Sequence, residues 1–133
     1  MKKFALKTLA IVLFVSTAIT SCSSNDDSET IISKSEFATA VTGPETGLIN
    51  QEITFQVNFE VENECGEFKE FAQTASGNTK TIQIQSLYTG TNCGTTDVAR
   101  TEPYKFTVNT AGTYVFKFKS SASTFITKTV VIE

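Results

Sequence analysis

The chain contains no histidine and no tryptophan, and only three cysteines. Without an imidazole it can build neither a Ser-His-Asp nor a Cys-His nucleophilic site, and no histidine-ligated zinc or copper centre. Cys65 and Cys93 have no third soft ligand beside them, so neither a metal nor a cofactor is expected. No EF-hand spacing or other dedicated calcium loop occurs, no stretch sustains the 3.6-residue period of an amphipathic helix, and no basic footprint for nucleic acid is present. The missing tryptophan also weakens a carbohydrate-binding reading, because sugar platforms usually rely on broad aromatic rings.

What is present begins with a positive start, Met1-Lys2-Lys3 with Lys7, followed by an apolar and small-residue run from Leu9 to Ile19. That is the pattern of a secretory signal. The run falls short of the roughly 20 apolar residues a membrane span requires, and the polar stretch Ser23 to Glu29 lies directly behind it. Ile19-Thr20-Ser21-Cys22 resembles the lipobox of bacterial lipoproteins, position by position: an aliphatic residue, two small residues and the cysteine. The resemblance implies cleavage before Cys22 and lipid on its thiol; the alternative is an ordinary thiol near a conventional cleavage site. Each buried CH₂ of an acyl chain is worth about 0.8 kcal/mol, so several chains would anchor the protein stably to a membrane without inserting it. In that family an aspartate after the cysteine favours the inner membrane. Ser23 stands there instead, so the resemblance implies the outer membrane. The run Ser23-Ser24-Asn25-Asp26-Asp27-Ser28-Glu29 is similar to a serine-acidic surface-export tag, with Asn25 as its departure, and reads equally as a solvated tether. The expected organisation is a signal peptide over 1–21, a lipidated cysteine and flexible tether over 22–35, and one domain over 36–133.

Removing the signal takes away Lys2, Lys3 and Lys7, so eight basic side chains face fourteen acidic ones, a net charge near −6. The balance argues against electrostatic docking on anionic lipid, which leaves the lipid on Cys22 as the expected membrane contact. Three cysteines in an exported protein is an odd count. With Cys22 lipidated, as the lipobox resemblance implies, Cys65 and Cys93 remain as an expected disulfide in an oxidising compartment, with two free thiols as the alternative.

After the tether the hydrophobic period becomes two. Phe37 to Thr42 is a first strand, ended by Gly43-Pro44-Glu45-Thr46-Gly47. Ile53, Phe55, Val57, Phe59 and Val61 alternate with polar residues in the clearest half-buried strand of the chain. Phe68 and Phe71 are three apart and need a bulge to share a face. Ile82 and Ile84 alternate up to Tyr88, and Thr89 to Thr96 is a loop pinned by Cys93. Pro103 opens a strand carrying Tyr104, Phe106 and Val108; Tyr114, Phe116 and Phe118 mark the next, and Phe125 to Ile132 the last. Seven short strands in about 100 residues predict an all-β fold, a single antiparallel β-sandwich. Thr110-Ala111-Gly112-Thr113-Tyr114-Val115-Phe116 resembles the corner before strand F of immunoglobulin-like domains, in which the tyrosine hydroxyl bonds back to the backbone. Gly112 and Tyr114 fit that corner, while Thr110 replaces the usual aspartate and Phe116 the core cysteine. The resemblance implies an immunoglobulin-like fold without its inter-sheet disulfide, and it carries no function.

Two groups of residues are candidates for chemistry. Glu60, Glu62, Glu64, Glu67 and Glu70 form an acidic cluster, and paired carboxylates about 5 to 9.5 Å apart suffice for glycoside hydrolysis. Glu60, Glu62 and Glu64 have the parity opposite to Phe55, Val57 and Phe59, which assigns them to the solvent face. Calcium binding by these acids with Asp97 is a further alternative. The loop around Tyr88, Asn92, Cys93, Asp97 and Arg100 is the candidate contact surface, since binding residues sit on loops braced by a rigid scaffold. The expected function is a non-enzymatic lipoprotein that displays a binding, adhesion or envelope-structural module to a protein or glycan ligand. Its rival is a small carboxylate-dependent hydrolase.

Overall fold

The alternation of Ile53–Val61 is carried straight into the fold: Ile53, Phe55, Val57, Phe59 and Val61 are buried, while Gln56, Asn58 and Glu60 are exposed. The structure is a computed structural model and describes residues 30–133; the expected signal peptide over 1–21, the lipobox-like Ile19-Thr20-Ser21-Cys22 and the expected tether up to Glu29 lie outside those residues. Nine strands are described: β1 (Ile31–Glu36), β2 (Ala38–Thr42), β3 (Thr46–Gly47), β4 (Ile53–Val61), β5 (Gly66–Ser76), β6 (Thr79–Thr89), β7 (Val98–Phe106), β8 (Gly112–Lys119) and β9 (Phe125–Ile132). They form two packed sheets, a β-sandwich. One sheet holds β2, β4 and β7; the other is centred on β6.

β6 organises the larger sheet. Along one edge it pairs with β5 throughout its length. Its other edge is shared, with β8 beside Thr79–Ile82 and β1 beside Ile84–Thr89. β9 follows β8, and β3 covers the end of β9 at Val131 and Ile132. The core lies between the sheets. Phe55 stacks on Phe106 at 5.5 Å between ring centroids and meets Phe116 edge-on at 5.3 Å, while Ile82, Ile84, Val130 and Ile132 close the far side. Fully burying each such side chain is worth roughly 1.5 to 3 kcal/mol, which makes this aromatic layer the main force holding the sheets together.

The structure departs from the expected antiparallel, seven-stranded sandwich in three ways. The ladders β3–β9 and β6–β8 are parallel. β1 and β3 are additional strands, and β1 occupies residues assigned to the tether, so the domain begins at Ile31 rather than at residue 36. The sequence IISKSE hides this strand because β1 buries none of its side chains and is held by its backbone ladder. Pro103 lies inside β7 rather than at its start, opposite Gln56. β7 is the edge of its sheet, where a residue without an N–H is tolerated because no ladder bond need be lost. The bulge required to bring Phe68 and Phe71 to one face is present as a register shift between Phe68 and Glu70.

Candidate functional site

The residues singled out from the sequence gather at one end of the sandwich, where β4 turns into β5 and β6 leads into the loop 90–97. Cys65 and Cys93 are joined in a disulfide with Cα atoms 5.1 Å apart. Around it the backbone is tied twice more: Glu64 N–H donates to the Cys93 carbonyl at 3.3 Å, and Thr89 N–H to the Cys65 carbonyl at 3.4 Å. The Asn63 side chain caps the turn by accepting from Cys65 N–H at 3.1 Å. Gly66 is required here by close approach, because a Cβ on it would stand 2.6 Å from the Val61 Cβ and 2.8 Å from the Tyr88 ring.

Tyr88 is buried in this end, on the same side of β6 as Ile82 and Ile84. Its hydroxyl donates to Glu36 Oε1 at 2.6 Å and accepts from the Glu62 backbone N–H at 2.9 Å. The Lys34 ammonium pairs with the Glu62 carboxylate and lies 4.9 Å from the Tyr88 ring centroid. Burial, and next the hydrogen bond to the Glu36 carboxylate, push the Tyr88 hydroxyl up to about 12 from 10.0. Arg100 also faces inward: its Nη2 donates to the carbonyls of Gly66 at 3.0 Å and Glu64 at 3.4 Å. With Glu67, Phe68 and Glu102 it lines an open groove of about 250 Å³.

Of the five residues singled out around the contact loop, Cys93 is in the disulfide, Tyr88 and Arg100 are bonded into the scaffold, and Asn92 and Asp97 are exposed on the loop itself. The parity of β6 carried the signal for Tyr88, since it shares the face of Ile82 and Ile84. Lys34, which falls in the expected tether, and Glu36, the first residue of the expected domain, complete the cluster; neither lies in an alternating apolar run that would mark it in the sequence. Ser86 was missed too; it lies on the same inward row, is fully buried, and has no hydrogen-bond partner for its hydroxyl.

The acidic cluster does not converge. Glu60 is on the exposed face of β4 in the smaller sheet, and Glu62 is held by Lys34. Glu67 and Glu70 are on β5 in the larger sheet, both exposed, Glu67 on the groove beside Arg100 and Glu102. Among the described residues no group of three or more histidine, cysteine, aspartate or glutamate side chains is placed to hold a metal ion.

At the other end of the sandwich, Gly112 takes a φ of 150°, which favours glycine, and starts β8. Two residues on, the Tyr114 hydroxyl donates to the Thr110 carbonyl at 2.9 Å, the bond back to the backbone that the sequence led one to expect there. Asn78 fastens the neighbouring β5–β6 turn to it, donating from Nδ2 to the Thr113 carbonyl at 3.1 Å and accepting from Val115 N–H at 2.9 Å.

No curated protein and no solved structure matches the chain. Residues 55–130, from within β4 to near the end of β9, match the family model described as the ORF11 beta-sandwich domain, a span that includes the disulfide and the Tyr114–Thr110 bond but leaves out β1, β2 and β3. The chain belongs to the ORF11 beta-sandwich domain family.

Proposed function

We propose that the protein is a non-catalytic lipoprotein of the outer membrane, anchored through lipid on Cys22, whose β-sandwich is a binding, adhesion or envelope-structural module. The observation that carries this reading is the lipobox-like Ile19-Thr20-Ser21-Cys22 lying only eight residues before the first strand. The division of the cluster between β4 in the smaller sheet, which carries Glu60, and β5 in the larger, which carries Glu67 and Glu70, supports a non-catalytic role, since a hydrolase needs two carboxylates facing one bond. Even fully extended, the eight intervening residues reach no more than about 30 Å, so lipid on Cys22 would keep the domain close to the bilayer. Ile31 pairs with Thr89, beside the disulfide-braced loop 90–97. On this reading that loop faces the membrane. The opposite end, with Leu48 and Ile49 exposed beside the start of β4, is then the surface turned toward a protein or glycan partner.

The test is metabolic labelling of the producing cells with a palmitate analogue. Label on the wild-type chain and none on C22S is expected; equal label, or none on either, overturns the anchor. Protease shaving of intact cells then separates the two faces of the outer membrane, with cleavage in intact cells expected for surface display.

A further inference from the structure

The chain changes sheets within one residue. β1 ends at Glu36 in the larger sheet and β2 starts at Ala38 in the smaller one, leaving Phe37, 40% exposed, as the whole connection. β1 contributes no buried side chain, and its ladder runs to β6 alone. Its side chains reach the domain through polar contacts: Lys34 to Glu62, Glu36 to the Tyr88 hydroxyl, and Ser35 Oγ to Gln85 Nε2 at 2.9 Å, while Gln83 Nε2 bonds the Glu36 carbonyl at 2.6 Å. What β1 covers is different in kind. Ser86, fully buried, and Tyr88, 6% exposed, lie on the stretch of β6 that pairs with it, so that edge cannot be left open.

From this arrangement we propose that β1 is an exchangeable strand, and that Ile31–Glu36 of one copy takes the same place on β6 of a second copy, giving a two-fold dimer. Exchange of an identical element restores every contact of the closed form, so only the connection decides between the two. A one-residue connection that must cross from one sheet to the other favours opening, because in the exchanged form Glu36, Phe37 and Ala38 are free to run straight on as one strand, and a hinge this short has no slack to fold back. Phe37, 40% exposed, is the hinge itself, where the two copies meet in the exchanged form and can cover apolar surface that a lone domain leaves in water. The inference does not depend on lipidation of Cys22.

The experiment uses the full chain carrying C22S, which removes lipid-driven association. Ser35 and Gln85 are partners across the β1–β6 ladder, so chains carrying S35C and Q85C separately are mixed, oxidised and digested. A peptide pair linked between positions 35 and 85 requires β1 of one copy on β6 of the other. The proposal expects this linked pair. It also expects the yield to fall at least about tenfold when two glycines inserted after Phe37 relax the hinge, and a concentration-dependent dimer by sedimentation that the insertion shifts to monomer. Absence of the 35–85 link in the mixed chains overturns the proposal, as does a link whose yield the glycine insertion leaves unchanged. If the cysteine variants fail to fold, a purely monomeric C22S chain at every concentration tested overturns it equally.

Discussion

At the scale of single residues, Gly66, Tyr88 and Tyr114 show how little freedom this sandwich leaves at its two ends. Gly66 is fixed by proximity to Val61 and Tyr88. Replacing it with alanine forces Tyr88 or the backbone aside, and G66A is expected to lose about 1 to 3 kcal/mol in urea denaturation, as overpacking does. Tyr114 makes one hydrogen bond to the Thr110 carbonyl. Y114F should lower stability by about 1 kcal/mol, the net worth of such a bond, with the far-ultraviolet spectrum unchanged. The hydroxyls of Tyr88 and Tyr104 are both pushed up to about 12, Tyr88 by burial and the Glu36 carboxylate, Tyr104 by burial. A folded-state value raised above the unfolded one favours the protonated group in the fold. The stabilisation is therefore complete below pH 10 and is lost as pH rises from 10 toward 12. Urea midpoints measured across that range should fall steeply for the wild type, and the fall should be shallower for the double variant Y88F/Y104F.

At the scale of elements, the β4–β5 turn and the loop 90–97 act as one unit because the disulfide and two backbone hydrogen bonds join them. The bridge spans a sequence separation of 28, and removing it in C65S/C93S is expected to cost about 3 kcal/mol, read as a lower thermal midpoint that reducing agent reproduces in the wild type. β4 was fully legible in the sequence, because its alternation names both its faces. β5 was legible once a bulge was required to bring Phe68 and Phe71 to one side. β1 was not, because a strand that buries nothing has no hydrophobic period to read, and its existence depends on the free half-edge that β6 offers beyond β8. β7 was entered too late, since a proline usually marks a boundary and only an edge position lets it sit inside a strand.

At the scale of the whole molecule, the two sheets separate groups that lie close along the chain. Glu62, Glu64 and Glu67 fall within six residues, yet Glu67 is exposed on β5 in the larger sheet while Glu62 is bound to Lys34 at the end of the sandwich. All three are exposed, so the triple variant E62Q/E64Q/E67Q should change stability by no more than about 0.5 kcal/mol per site. Ligand binding or adhesion should survive it. Loss of a catalytic turnover in the folded triple variant would instead establish the hydrolase.

The candidate site was legible only in part. Cys65 and Cys93 were named by count and compartment, and the corner at Gly112 and Tyr114 by its motif. The contact loop was assembled from neighbours in sequence, and the fold turned Tyr88 and Arg100 inward as struts of that same loop. By itself the sequence determined the β class, the inward faces of the long strands and the need for a bulge in β5, because local periodicity and turn residues settle these; the Cys65–Cys93 pairing was an expectation resting on the lipobox resemblance, and the fold decided it. Only the tertiary structure decided that β1 joins the domain, that β6 shares one edge between β8 and β1, and that the disulfide lies at the end where the chain enters. Those depend on which edges and ends are brought together across the sandwich, and no local run of residues encodes that.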